Sequence, residues 1–160
     1  VIMTPKSLLR HPRVTSTLDE LAAGRFQRVL KDPQRIPAEE TKKILLCTGK
    51  IFYELEAHRE ATGSKQVAIM RLEQLYPLRA EVLQAALEPY RDGTPVVWVQ
   101  EEPENMGAWR FLRVNLGERL FGRFSFSAVT RPASASPATG SASSHKQEQA
   151  KLIAEAFDQA

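Results

Sequence analysis

Cysteine is almost missing from this chain: one thiol, Cys47, in 160 residues. That excludes a disulfide framework and any zinc site built from several thiolates. Cys47 lies inside an apolar run, where a lone thiol acts as a small core residue in a reducing compartment, here expected to be the cytoplasm. Histidine is scarce too, and His11, His58 and His145 show no ligand spacing to one another or to Cys47. No apolar run approaches the roughly 20 residues of a membrane span, and no leader-peptide pattern is present. Glycine numbers only 8, and none of them builds G-x-G-x-x-G or G-x-S-x-G. Thr48-Gly49-Lys50 suggests a phosphate loop, but the glycine five residues before the Gly-Lys pair and the Ser/Thr after it are both absent. Gly49 then either permits a tight strand-to-helix turn or leaves an anion held by helix N-terminal amides near Lys50.

Charge of one sign is also lacking. The net charge is +3, and the excess sits in residues 1–43, with nine Lys/Arg against five Asp/Glu. Phe26 is the single aromatic there, so the aromatic interleaving of a nucleic-acid surface is missing and no nucleic-acid partner is expected.

What is present is a rhythm. Apolar runs at 44–48 (ILLCT), 67–70 (VAIM), 96–99 (VVWV) and 124–129 (FSFSAV) alternate with helical stripes. One stripe is Val82, Leu83, Ala86 and Leu87; another is Trp109, Leu112, Leu116 and Leu120; a last is Ala150, Ile153, Ala154 and Phe157. Strand and helix in alternation specify βαβ units on a largely parallel sheet covered on both faces. Residues 1–43 read as a lead-in carrying a short helix, 18–23, capped by Ser16 or Thr17, and an edge strand, 26–30. Residues 44–130 form the α/β core. Residues 131–160 form an extended arm, rich in serine, alanine and proline, and a final helix, the whole being one domain. The opening Val1-Ile2-Met3, with no initiator methionine in first place, reads as a strand cut from a longer protein.

The stretch VVWVQEEPENMGAW (96–109) places glutamates where a strand gives way to a helix, the usual ligand edge of a parallel sheet. Glu104 and Asn105 suit a helix start. Glu101 and Glu102 are neighbours in extended chain, so their side chains point opposite ways. Arg71 and Glu73 follow another strand to the same edge, either as an ion pair steadying a loop or with Arg71 gripping a carboxylate or phosphate.

TPKSLLRHP (4–12), CTGKIFYEL (47–55), VAIMRLEQLYPL (67–78), VWVQEEPENMGAW (97–109) and RPASASPATG (131–140), in that order, resemble the first component of 2-oxoglutarate dehydrogenase in its bacterial form. The 2-oxoglutarate decarboxylases and 2-oxoadipate dehydrogenases share much of the pattern. The resemblance implies the carboxyl-terminal domain of a transketolase-like homodimeric subunit. Its fold would be a three-layer sandwich about a sheet of about five strands, four parallel and 26–30 antiparallel. Thiamine diphosphate and magnesium would belong to other domains of the same chain. Asp92-Gly93 is preceded by Arg91, and no asparagine pair follows, so the family's diphosphate motif is absent here. The fragment alone is therefore expected to be inactive, with no catalytic, cofactor or metal residues. Its partners would be the other domains, a second copy, the lipoyl succinyltransferase of the complex, and an adenine nucleotide or acetyl-coenzyme A as effector. Lys6, Arg10, Lys50 and Arg71 are the candidates for an anionic effector; Glu73, Glu101 and Glu102 are candidates for domain or dimer contacts. The arm 131–144 would be ordered, as in the family. A free-standing nucleotide- or acyl-coenzyme-binding α/β module is the alternative.

Overall fold

A computed structural model describes residue 1 and residues 3–158. A 3-10 turn at Lys6–Arg10 is followed by α1 (Leu18–Ala23), β1 (Val29–Leu30), β2 (Lys43–Cys47), α2 (Ile51–Thr62), β3 (Val67–Leu72) and α3 (Ala80–Leu87). Then come β4 (Val96–Pro103), α4 (Trp109–Leu116), β5 (Arg119–Leu120), β6 (Phe124–Arg131) and α5 (Ala142–Asp158). The sheet order is β1-β3-β2-β4-β6-β5, with the four central strands parallel and both edges antiparallel.

The central strands are buried on both faces, and their side chains divide by parity. Ile44, Leu46, Val96 and Trp98 face α3 and α4 with Leu83, Leu87 and Leu112. Leu45, Cys47, Val97 and Val99 face α2 and α5 with Leu55, Leu152 and Ile153. The chain winds from β2 to β3, then crosses back over β2 to β4 and onward to β6. The winding direction therefore reverses between β2 and β4, and the carboxyl ends of that pair form a switch point.

Two buried charges fasten the lead-in and the last helix to this core. Asp32 accepts from both terminal nitrogens of Arg59 on α2, and its carboxylate also takes the amide of Ile69 in β3. Lys43 opens β2 and donates to the carbonyls of Ala156 (3.4 Å) and Phe157 (3.0 Å) in the last turn of α5. Burial pulls the Lys43 ammonium below its ordinary range, against the charge of Asp158.

Five sequence expectations are corrected. The sheet has six strands, because β5 adds a second antiparallel edge too short to leave a periodic signal. The lead-in strand is confined to Val29–Leu30. Val1 and Met3 are exposed and lie in no strand, while Ile2 lies outside the described residues. The helix expected over 109–120 stops at Leu116, because Gly117 takes a φ of 75° and turns the chain into β5. Helix α5 starts at Ala142, so the extended arm is limited to 132–141.

Candidate functional site

Strand β4 does not end before the acids, as the sequence suggested, but runs through them to Pro103. Past Val99 the pairing with β6 shifts register, yet the two glutamates still take opposite sides. Glu101 falls on the α2/α5 side with Val97 and Val99, and Glu102 falls on the α3/α4 side with Trp98 and Gln100.

On the first side the charges are neutralised in place. Lys50, just past β2, donates to Glu101 and to Glu54 (3.4 Å). Gln149 of α5 donates to Glu54 (2.9 Å) and Glu101 (3.0 Å), and its carbonyl oxygen accepts from Arg131 (2.9 Å). Arg131 also meets His145 Nδ1 (3.1 Å) and Glu148 (3.4 Å). Burial pulls the Lys50 ammonium down, but the hydrogen bond and charge of Glu101, with Glu54, outweigh it and hold the group above its ordinary range. A lysine so held is a structural cation and a poor proton acceptor.

Gly49 has a φ of 72°, and a side chain there would meet nothing within 4 Å. Gly49 serves the sharp turn from β2 into α2.

On the second side a slot of about 370 Å³ lies between the ends of β2 and β4 and the start of α4, lined by Thr48, Tyr76, Trp98, Glu102, Gly107 and Phe111 among others. Two of its lining residues, Trp98 and Gly107, are placed by Gln100, which the sequence reading missed. Gln100 is buried, and its oxygen accepts from Trp98 Nε1 and from the Trp109 amide, both at 2.9 Å. Its amide group donates to the carbonyls of Glu102 (3.3 Å), Pro103 (3.1 Å) and Met106 (2.8 Å). Gly107 accommodates this clamp, since a Cβ there would come within 2.9–3.1 Å of the Gln100 side chain. The signal in the sequence was a glutamine inside an apolar run, on the strand face of one tryptophan and upstream of the other.

Glu104 and Asn105 do not cap α4, whose N-cap position is Ala108; the amide of Trp109 is taken by Gln100 instead. Glu104 instead pairs with Arg110 at 3.7 Å. Asn105 holds Ser134 of the arm by two bonds, 2.9 and 3.0 Å, which fixes 132–141 against the switch-point loop.

The four effector cations are not brought together. Lys6 and Arg10 lie exposed on the 3-10 turn rather than at a strand end, and take no ion pair among the described residues. Lys50 is committed to Glu101. Arg71 pairs with Glu73 at 3.6 Å and stacks on Phe52, 4.3 Å from the ring centroid. It also borders a cavity of about 320 Å³ with Thr15, Ser16 and Tyr53.

The edge is chemically quiet. Burial pushes the Cys47 thiol far up, Arg71 opposing and Glu73 adding to the shift, so it is no nucleophile. No cluster of three His, Cys, Asp or Glu able to hold a metal occurs among the described residues. Asp92, the one aspartate followed by glycine, is paired with Arg123 and precedes β4, at the opposite end of the sheet from the switch point. These residues do not fit a magnesium diphosphate. What remains is a set of placed charges and an aromatic slot, suited to holding something still.

The fold and this edge define the class: a three-layer α/β domain with a switch point between β2 and β4. Residues 15–157 match the family described as 2-oxoglutarate dehydrogenase C-terminal, and the chain belongs to that family. It is 43% identical over 98% of its length to a 2-oxoglutarate dehydrogenase E1 component of Haemophilus influenzae, of which it covers 17%. It is 40% identical over 98% of its length to the protein of that name in Cupriavidus necator, covering 16% of it. It is also 39% identical over 99% of its length to a probable 2-oxoadipate dehydrogenase complex component E1 homolog of Dictyostelium discoideum, covering 18%. The chain thus spans about a sixth of the length of these relatives.

Proposed function

We propose that this chain is the carboxyl-terminal domain of a 2-oxoglutarate dehydrogenase first component, a homodimeric, thiamine-diphosphate-dependent subunit of the cytoplasm. That subunit decarboxylates 2-oxoglutarate in the citric acid cycle and passes the succinyl group to the lipoyl succinyltransferase of the complex. The observation that carries this reading is 43% identity sustained over 98% of the chain. The switch-point edge supports a positioning role for the domain, with Glu73 and Glu101 held in place by Arg71 and Lys50 and Glu102 left to meet its neighbours. The pairing of Asp92, the one aspartate followed by glycine, with Arg123 supports cofactor binding by other domains.

The test has two arms. The full-length subunit, reconstituted with its complex, is assayed for succinyl transfer from 2-oxoglutarate. Residues 1–160 alone are titrated with thiamine diphosphate and magnesium by calorimetry. Turnover in the first arm and no heat in the second are expected; micromolar binding to the fragment would overturn the division of labour.

The Dictyostelium relative favours a second reading, the same domain of a 2-oxoadipate subunit. The ratio of kcat/KM for the two acids in the full-length enzyme separates them. For an adenine nucleotide or acetyl-coenzyme A effector, Arg71 is the cation we favour, since it borders a cavity, beside Thr15 and Ser16. Arg71→Ala in the full-length enzyme should then abolish the response, beyond any fall in melting temperature from the lost Glu73 pair and Phe52 stack.

A further inference from the structure

The aromatic slot on the α3/α4 side is not neutralised as the other side is. At the switch-point edge Glu54, Glu73, Glu101, Glu104 and Glu148 each meet a cation. The exposed carboxylate of Glu102 has no ion pair and no side-chain hydrogen bond among the described residues, and no lysine or arginine lines the slot. Around it stand the rings of Tyr76, Trp98 and Phe111. Tyr76 is 83% exposed, an unusual state for an aromatic ring beside an apolar cavity.

One unpaired carboxylate beside three aromatic residues selects its occupant. A phosphate or carboxylate would be repelled by Glu102. An uncharged apolar group would desolvate Glu102 without pairing it, which is costly. A guanidinium or ammonium on an aliphatic stem satisfies both features, its charge against the carboxylate and the rings, its stem along the apolar wall. The relatives are about six times the length of this chain, so most of the polypeptide that could supply such a group lies outside it. We propose that the slot receives an arginine or lysine side chain from the part of the same polypeptide outside residues 1–160, which locks this domain to the rest of its subunit. The inference rests on reading the chain as the carboxyl-terminal domain of a longer subunit.

The test places a photoreactive benzoylphenylalanine at Tyr76 in the full-length protein, followed by irradiation and peptide mapping. The expected adduct is a peptide of the same polypeptide, outside this domain, with an arginine or lysine beside the attachment point. No adduct, an adduct within residues 1–160, or one to another component of the complex overturns the proposal. So does an adduct joining heavy and light peptides in mixed-isotope protein, which would assign the occupant to a second copy. A charge-swap cycle gives an independent reading. Glu102→Lys is expected to lower the melting temperature of the full-length protein, and pairing it with the mapped cation changed to glutamate should restore it. A double variant no more stable than the singles overturns the ion pair. Succinyl-transfer assays on the unmodified protein keep the two readings apart. A subunit inactive on 2-oxoglutarate that still gives the cationic adduct sinks only the activity; an active one with an empty slot sinks only the lock.

Discussion

Gln100→Leu removes the clamp that holds Trp98 and the start of α4, while keeping most of the side chain's volume. The Trp98 indole N–H, fully buried, and the Trp109 amide, partly buried, then lose their shared acceptor at 2.9 Å. The carbonyls of Pro103 and Met106 lose a donor. An orphaned buried donor costs about 1–3 kcal/mol, so the two donors together imply about 3 kcal/mol once the partial exposure of Trp109 is discounted. Urea unfolding of the 160-residue chain measures this directly, and the chain supplies its own probe. Trp98 and Trp109 are its only tryptophans, and both are held by the one glutamine oxygen. The emission spectrum of the folded variant should therefore shift along with the loss of stability. Gln100→Glu separates the two halves of the clamp, since it retains the acceptor and gives up the donors to the carbonyls. It should keep more of the tryptophan signature than Gln100→Leu. A leucine variant within about 1 kcal/mol of the parent, with superimposable emission, would refute the assignment of Gln100 as the organiser of this loop.

Gly107→Ala should cost about 1–3 kcal/mol, because a Cβ there presses on Gln100 at a φ of 66°. Gly49→Ala, at a φ of 72° with open space around it, should cost only the backbone share, about 1 kcal/mol; thermal melts of the pair test the difference. Asp32→Ala leaves Arg59 buried without its counter-charge and the Ile69 amide unpaired, for an expected loss of about 3–5 kcal/mol in urea. Lys50 is held above its ordinary range, so its stabilising share is complete below the unfolded value of 10.5 and fades as pH rises through the higher folded value. Lys50→Met should remove that alkaline decline, as read from melting temperatures between neutral pH and about pH 11; an unchanged slope would show that Glu101 does not hold the charge.

The parity of strands is the part of the site that reads most directly from sequence. Once Val96–Val99 are a strand buried on both faces, adjacency alone sends Glu101 and Glu102 to opposite sides, and the structure places them so. The rest depends on partners far away in the chain. Lys50 meets Glu101 across 51 positions, and Asp32 meets Arg59 across 27; no local pattern announces either pairing. Gly117 did carry a local signal. It interrupts the stripe from Trp109 to Leu120, and a glycine in that place ends a helix more often than it decorates one. The four effector candidates stand apart in this structure for a different reason. Grouping them required Val1–Met3 to be a strand of this sheet, and a short apolar run earns that status only when a neighbouring strand can take its hydrogen bonds. Here β1 and β5 form the edges of the sheet, and Lys6 and Arg10 stand on an exposed 3-10 turn rather than at a strand end. The asymmetry that remains, one face of the switch point neutralised and the other left with a bare carboxylate among aromatic rings, follows from that same parity. A single residue step along β4 separates a glutamate that closes the domain on itself from one left open for the rest of the protein.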